Sequence, residues 1–289
     1  MSEPMDDFAF CQTELKHLDP VRHFIALTAP EIHRPSLMVL FAFLATLNRI
    51  PAQVSTPEMG QIRLQWWRDI IADTQSGFGN GCGLANIGPL ATALKQIQRQ
   101  YRLSVEHLTA IVDALEFNLE HNPIPDETAY RNHVWQTDSL PMLLASQILN
   151  ESEEPRLPED LMESAGLASG LARHLQNWPL DATNRQLFLP LDSFTHHGVS
   201  LSDLFSGGLP EGLRIAIEEL CQLARANHQS AMASLRQMPK EDSIRFSPAF
   251  LTLATVPRIL SLRSKTPTGQ LSVANWRHYW SIWRMAARF

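Results

Sequence analysis

The residues of this chain that could do chemistry begin with two carboxylates in the stretch 63–73, which reads RLQWWRDIIAD. Asp69 and Asp73 are four residues apart, and residues at this spacing share one face of a helix. Two carboxylates on one face could hold a magnesium ion, and magnesium commonly binds diphosphates. Acidic pairs at this spacing are also common on solvated helix faces. The spacing alone therefore leaves a magnesium site and a solvated or salt-bridged face as alternatives.

The same stretch carries two adjacent tryptophans and two arginines. On a helix Trp66 and Trp67 point about 100° apart, so one can enter the core while the other lines a groove or packs on a neighbour. We predict Arg63, Trp67 and Arg68 as contacts of a ligand or of a cavity wall.

Other catalytic or nucleic-acid-binding patterns are missing from the sequence. There is no GxSxG or HExxH motif, and the three cysteines stand singly, without a CxxC pair. His196 and His197 are adjacent and point in different directions, which predicts a turn and not a shared metal. The net charge of −6 argues against general nucleic-acid binding. The glycine-rich stretch 76–83 lacks a GK[ST] sequence and is interpreted as a linker.

The last helix predicted by the sequence has an aromatic stripe beside a basic one. The aromatic stripe consists of Trp276, Tyr279, Trp280 and Trp283, and the basic stripe consists of Arg277, Arg284 and Arg288. This pattern is typical of an interfacial helix. It is equally typical of a terminal helix that docks onto its own domain, which we favour. The basic face could then still meet anionic lipid or a partner protein.

The elements that must position these residues are predicted to be helices throughout. Helical periodicity is widespread and strand signals are sparse, so we predict one all-α domain of about ten or more helices. The apolar run 37–47 is too short to span a bilayer and predicts a buried helix. A helix is predicted over 127–149 with a kink at Pro141, and 177–192 is predicted to be irregular.

The acidic N-terminus has neither the pattern of a secretory signal nor that of a transit peptide. We therefore expect a cytoplasmic protein. The alternative is a cytoplasmic protein that is peripherally bound to the inner membrane.

Two blocks, IRLQWWRDII and RQLFLPLDSFTHHGVSLSDLF, together resemble the squalene/phytoene synthase family. The resemblance runs collinearly from about Asp19 to the C-terminus. It implies a single-domain, all-α, isoprenoid-synthase-like bundle around a central cavity over 19–289, with 1–18 as an N-terminal extension. Active members of the family join two prenyl diphosphates head to head. They bind magnesium–diphosphate with two aspartate-rich helices that face each other across the cavity.

The resemblance also locates the family's metal-binding positions in this chain, and most of them have lost their acids. The first motif falls on Asn48, Arg49 and Ala52, and the second on Gln176, Asn177, Leu180 and Asp181. A further acidic position of the family corresponds to Asn118. Several magnesium ions bridging a diphosphate need anionic oxygens from both helices. One remaining aspartate cannot supply them, so we predict no catalytic residue and no metal ligand.

The substitutions resemble one divergent branch of the family, which comprises alphaproteobacterial phytoene-synthase-like proteins and the related mitochondrial assembly factor of respiratory complex I. The leading hypothesis is a non-catalytic binding or assembly factor, with an isoprenoid, a lipid or a respiratory-complex subunit as its partner and no cofactor. The alternative is an active head-to-head prenyltransferase that uses magnesium. Asp69, Asp73, Asp181 and Asp192 would then be its carboxylates.

Overall fold

The computed structural model describes residues 6–73, 87–120, 122–151 and 155–289. Within these ranges every regular element is a helix, which confirms the all-α prediction. The glycine-rich stretch 76–83 lies outside the described residues. The chain forms two compact units, the first comprising residues 1–120 and 144–155 and the second comprising residues 121–143 and 156–289.

The described residues of the first unit that precede residue 121 form six α-helices. They are α1 (Asp7–Leu18), α2 (Pro20–Thr28), α3 (Arg34–Gln53), α4 (Pro57–Ala72), α5 (Pro89–Gln100) and α6 (Val105–Glu116), with short 3₁₀ turns at Glu31–His33 and Phe117–Leu119. Proline in the first turn opens four of them, where its missing N–H costs no hydrogen bond. The family boundary expected at residue 18 remains a prediction.

Helix α3 is the centre of the first unit. Residues 37–45 and Leu47 are all buried, as predicted for the apolar run. The stretch Glu31–Gln53 is long and apolar enough to cross a membrane, but 67% of its apolar window is buried inside the fold. Helices α1, α2 and α5 pack against α3, and α1 contributes Cys11 and Leu15 to that core. Residues 7–18 are therefore part of the packed unit.

The second unit is built on two long helices. Its elements are α7 (Glu127–Val134), a π-helical turn (Trp135–Ser139), α9 (Glu159–Thr183), α10 (Asp192–Thr195), α11 (Leu201–Phe205), α12 (Glu211–Gln237), α13 (Lys240–Phe250), a 3₁₀ turn (Leu251–Thr255), α14 (Val256–Lys265) and α15 (Asn275–Ala286). Helices α9 and α12 form its largest helix–helix contact. Helix α8 (Leu140–Leu149) follows the π turn, and its residues are divided between the two units.

A π turn lies just before Pro141, the position at which the sequence predicts a kink. The Leu140 N–H donates to the Trp135 carbonyl, five residues back. A proline ring clashes with the carbonyl four residues before it, and a wider turn relieves that clash. His196 and His197 lie in the turn after α10, as predicted, and His197 Nε2 is 2.8 Å from Glu219.

The prediction that 177–192 is irregular is wrong for its first part, because α9 continues to Thr183 with Pro179 inside it. Proline cannot donate to the carbonyl of Leu175, four residues earlier. The buried side chain of Arg263 donates to that carbonyl instead, at 2.7 Å, and to the Gln176 carbonyl at 3.2 Å. The helix survives its proline because a side chain from α14 supplies the missing hydrogen bond.

Helix α15 docks onto its own domain, as predicted, but it does not dock through its tryptophans. Helix α15 packs against the 3₁₀ turn Leu251–Thr255, and its buried side chains are His278, Ile282 and Met285. The three tryptophans of the stripe are exposed. The sequence pattern favoured the aromatic face because aromatic side chains carry the largest apolar area.

Candidate functional site

The first motif positions lie at the C-terminal end of α3 and are exposed. Asn48 Nδ2 donates to the Leu44 carbonyl at 2.9 Å, so its amide is bonded to its own helix. Arg49 forms no ion pair with any described residue, and Ala52 has no ligand atom. Across the turn from α3 to α4, Arg63 Nη1 donates to Gln53 Oε1 at 3.3 Å. This end of α3 offers guanidinium groups where a magnesium site would need carboxylates.

The residues predicted as cavity or ligand contacts on α4 divide into different roles. Trp67 is buried and packs edge-on against Phe43, with ring centroids 5.0 Å apart, so it belongs to the core of the first unit. Arg68 is held by two carboxylates of α6, at 2.6 Å from both Asp113 Oδ1 and Glu116 Oε2. Of the two arginines among these predicted contacts, Arg68 has carboxylate partners and Arg63 has none among the described residues.

The carboxylate pair in RLQWWRDIIAD is not a joint site. Asp69 is exposed and accepts a hydrogen bond from Gln65 Nε2 at 2.8 Å. Asp73 follows the end of α4 and forms an ion pair with Lys95 of α5 at 2.6 Å. Helix α4 ends at Ala72, before the second carboxylate. The helical spacing of the two residues persists only in the hydrogen bond from the Asp73 N–H to the Asp69 carbonyl. The alternative of a salt-bridged face is confirmed.

The second motif positions lie in the last two turns of α9. Asn177 and Leu180 are exposed, whereas Gln176 and Asp181 are half-buried. Trp178, between them, is buried and donates its indole N–H to the Pro267 carbonyl at 2.9 Å. Pro179, which follows Trp178 within the predicted second motif, therefore lies at a structural junction between α9 and the segment after α14.

Asp181 is the one aspartate at the predicted motif positions, and its surroundings do not favour the ionised carboxylate. Burial raises the pKa of its carboxyl to about 6, and nearby Arg173 only partly opposes this shift. Arg173 is already engaged, because its Nη2 donates to Asp138 Oδ2 at 2.6 Å. An ion-paired guanidinium has less positive potential to offer a second carboxylate.

A buried polar cluster surrounds that ion pair, and the sequence analysis did not identify it. The hydroxyl of Tyr130 lies 3.0 Å from His174 Nδ1, and His133 stacks on His174 at 6.0 Å. Burial lowers the pKa of both histidines, that of His133 to about 4. The sequence signal was the spacing of Tyr130, His133 and Asp138 along one helical segment. Only the packing of α7 on α9 brings His174 and Arg173 to them.

The residues present do not fit the magnesium ions that the family fold implies. No group of three or more acidic, histidine or cysteine side chains suited to a metal occurs in the part of the chain that the structure describes. Of the carboxylates in the prenyltransferase alternative, Asp73 is paired with Lys95, and Asp192 Oδ2 accepts the Glu127 N–H at 3.3 Å. The predicted motif positions therefore carry one arginine, several amides, two apolar side chains and one acid whose pKa is raised.

The second unit also contains a cavity of about 320 Å³ between α12 and α14. Its lining consists of Arg225, His228, Gln229, Val256, Pro257 and Leu260. None of the predicted site residues lines it. Arg225 pairs with Glu218 at 2.9 Å, and His228 Nε2 contacts the Leu253 carbonyl at 3.1 Å, so these two polar side chains are engaged within the unit.

Comparison with known proteins gives one family and one type of relative. A family model described as squalene/phytoene synthase matches residues 15–284. The human complex I assembly factor 6 is 25% identical over 252 residues, which cover 87% of this chain and 72% of that protein. The bovine assembly factor 6 is 26% identical over 243 residues, which cover 84% of this chain and 69% of the relative.

Solved structures agree on the fold. A squalene synthase from Alicyclobacillus acidocaldarius superposes with a TM-score of 0.75 at 15% identity, over 92% of this chain and 95% of that one. A dehydrosqualene synthase in complex with a ligand superposes with a TM-score of 0.76 at 13% identity, over 98% and 96% of the two chains.

Proposed function

The chain belongs to the squalene/phytoene synthase family, and we propose that within this family it acts by binding, as an assembly factor for respiratory complex I, and not as a prenyl synthase. The observation that carries the proposal is the loss of carboxylates at the motif positions of both helices. Asn48 is bonded to its own backbone, Arg49 is cationic, and Asp181 is a lone acid with a raised pKa.

The chemical reason concerns the leaving group. Ionising an allylic diphosphate requires the charge of the departing diphosphate to be neutralised by magnesium ions, which need several hard anionic ligands. Arg49 can meet a phosphate directly but cannot assemble a cluster of metal ions around it. The scaffold is kept while the catalyst is not, which is the pattern of a protein reused for recognition.

The relatives support the assembly role. Proteins named complex I assembly factor 6 from human, mouse, cattle and rat each align over more than four fifths of this chain. The proposed partner is therefore a subunit of complex I. The proposed location is the cytoplasm, at the surface of the inner membrane in which that complex is built.

The catalytic half of the proposal is tested by incubating the full chain with magnesium and farnesyl or geranylgeranyl diphosphate. We expect no head-to-head product above the level of a boiled control, as measured by extraction and mass spectrometry. An active squalene synthase assayed in parallel shows that the conditions support the reaction. Product formation at enzymatic rates would overturn this half and restore the prenyltransferase alternative.

The assembly half is tested by deleting the gene in the source organism. We expect a loss of assembled complex I, measured as NADH dehydrogenase activity in native gels, and recovery when the wild-type gene is returned. A D181N gene should restore assembly equally well, because no metal chemistry is needed. Normal complex I in the deletion strain would contradict the assembly role.

Binding of an isoprenoid diphosphate without turnover is a second candidate, favoured by the two guanidinium groups near the first motif. Arg49 is exposed at the end of α3, and Arg63 contacts Gln53, four residues further along that helix. Calorimetric titration with geranylgeranyl diphosphate, with and without magnesium, tests it. We expect metal-independent binding that R49A/R63A weakens, while R214A, which removes an exposed arginine elsewhere, leaves it unchanged. Equal binding by R49A/R63A would exclude this site.

A further inference from the structure

The C-terminal helix α15 exposes three tryptophans on one face. Trp276, Trp280 and Trp283 are 61%, 55% and 54% exposed, which is unusual for such large apolar side chains. They cover one another in part, since Trp280 and Trp283 are stacked with ring centroids 5.2 Å apart. The side chains at i, i+4 and i+7 form one continuous aromatic surface, here called the tryptophan face.

The tryptophan face points away from the body of the second unit. Residues advance by about 100° around an α-helix. The buried side chains His278, Ile282 and Met285 therefore centre about 160° from the tryptophan face. The helix is anchored by one side and leaves the aromatic side for a contact outside this unit.

The flank of the tryptophan face is basic. Arg277, Arg284 and Arg288 are exposed and lie about 100° from the tryptophans. The guanidinium of Arg277 stands over the Trp276 ring, 4.6 Å from its centroid. None of the three forms an ion pair with a described residue. Their charges are available to an external anion.

The charge of the surrounding sequence has the same sign. Residues 243–289 contain seven Lys and Arg side chains and no Asp or Glu, although the chain as a whole has a net charge of −6. All 30 acidic residues thus precede residue 243. A basic segment at the end of an acidic protein is attracted to an anionic surface, and the rest of the chain is repelled by it.

From this geometry we propose that the tryptophan face of α15 and its arginine flank form a membrane-binding surface for bilayers that contain anionic phospholipid. Indole rings favour the boundary between headgroups and acyl chains, where the ring is buried and its N–H stays hydrated. The arginines on the flank reach the phosphates beside them. A helix held by its opposite side lies flat on such a surface without unfolding.

The proposal deepens the proposed function, because it specifies how the chain would reach the membrane where complex I is assembled. It rests on the exposure and charge of α15, and not on the loss of the metal motifs. Vesicle binding by the full chain, together with normal complex I in the deletion strain, would refute the assembly role alone. A deletion phenotype without vesicle binding would refute this inference alone.

Co-sedimentation of the full chain with vesicles tests the surface. We expect binding to vesicles of phosphatidylcholine with 30% phosphatidylglycerol at low salt, at least about tenfold weaker binding to pure phosphatidylcholine, and weakening with added salt. W280A/W283A should lose at least about tenfold in vesicle affinity. R277Q/R284Q/R288Q should lower affinity for anionic vesicles about 10- to 100-fold and remove most of the lipid preference.

Two control variants keep the result specific. W135A removes a tryptophan that is 37% exposed elsewhere in the second unit, and R214Q removes an exposed arginine of α12. Both should bind vesicles as the wild type does. Far-UV circular dichroism and thermal unfolding should be unchanged in the α15 variants, because the substituted side chains are exposed. Wild-type affinity in W280A/W283A, or no binding of the wild type to any vesicle, would overturn the proposal.

Discussion

Asp181 shows how burial changes the chemistry of a single carboxyl group. It sits in the last turn of α9, where burial raises the pKa of its carboxyl to about 6. The cation that could lower this pKa, Arg173, is already paired with Asp138. A carboxyl with a pKa of about 6 holds a proton in competition with magnesium as the pH falls toward 6.

The same residue predicts a pH-dependent stability. The folded pKa of Asp181 is raised, so the folded chain binds more protons than the unfolded chain between about pH 4 and 6. Ionised Asp181 therefore destabilises the fold, and this penalty is fully present above about pH 6. We expect D181N to raise the free energy of unfolding by about 1–2 kcal/mol at pH 7.5 and not at pH 4, measured by chemical denaturation.

An exposed carboxylate is the matched control for this prediction. Asp69 accepts only a surface hydrogen bond from Gln65, so D69N should change stability by less than about 0.5 kcal/mol at either pH. An equal effect of D181N at both pH values would show that the carboxyl is not destabilised by burial.

At the scale of elements, the junction between α9 and α14 depends on one arginine. Arg263 is fully buried and donates to five carbonyl oxygens, those of Leu175, Gln176, Thr266, Pro267 and Gly269. No described acidic side chain pairs with it, and burial lowers its pKa to about 10. Its hydrogen bonds replace the one that Pro179 cannot make.

Removal of this arginine should be among the most damaging single changes in the second unit. We expect R263M to lower the free energy of unfolding by about 3 kcal/mol or more, since it leaves several buried carbonyls without donors. P179A restores an N–H for the Leu175 carbonyl. R263M should therefore cost less in a P179A background, and denaturant unfolding of the four proteins gives this coupling energy. Additive effects would refute the linkage of Pro179 to Arg263.

Helix α9 packs closely on the π turn, and this close packing requires glycine on α9. A methyl group at Gly166 would collide with Ser139 Oγ, and one at Gly170 would lie 2.7 Å from the Val134 side chain. Small residues on α9 allow the wider π turn to pack closely on it. The Ser139 hydroxyl also donates to the Met162 carbonyl at 2.9 Å, which fixes its position.

We expect G166A to lower the free energy of unfolding by about 1–3 kcal/mol, because the added methyl overpacks this contact. S139A should recover part of that loss in the double variant by removing the hydroxyl. G208A is the control, since a methyl there has its nearest neighbour at 3.5 Å and should be tolerated. A wild-type melting temperature in G166A, measured by differential scanning calorimetry, would contradict the contact.

At the scale of the whole molecule, several histidines are buried in the neutral form. Burial lowers the pKa of His23, His33, His133, His174, His228 and His278. The folded chain thus binds fewer protons than the unfolded chain below the usual histidine pKa of about 6.5. The stability that these groups contribute is present above that pH and is lost as the pH falls.

We therefore expect the free energy of unfolding to fall from pH 7 to pH 5, by about 1.4 kcal/mol per pH unit for each proton taken up. Denaturant unfolding at three pH values measures this slope. H133F keeps a ring stacked on His174 and removes one titrating group. The fall in the free energy of unfolding per pH unit should therefore be smaller by the contribution of about one proton, which is about 1.4 kcal/mol. An unchanged slope in H133F would show that His133 is not the source.

The sequence by itself determined the helical class and the family, and it predicted the loss of the metal ligands. These follow from local information, namely hydrophobic periodicity, block order and residue types at given positions. Trp67 could be assigned to the core or to a groove, and Asp69 and Asp73 to a metal or a surface, because spacing describes one helix and not what packs against it. In the structure Trp67 packs against Phe43, and Asp73 forms an ion pair with Lys95.

Only the tertiary structure decided the features that depend on partners distant in the chain. Helix α9 passes through Pro179 because Arg263, 84 residues later, replaces a hydrogen bond. The aromatic stripe of α15 is the outward face because a less apolar face, carrying His278 and Ile282, fits the 3₁₀ turn at Leu251–Thr255. Periodicity shows which residues share a face, but burial is settled by the surface that a face meets, and that surface comes from elsewhere in the chain.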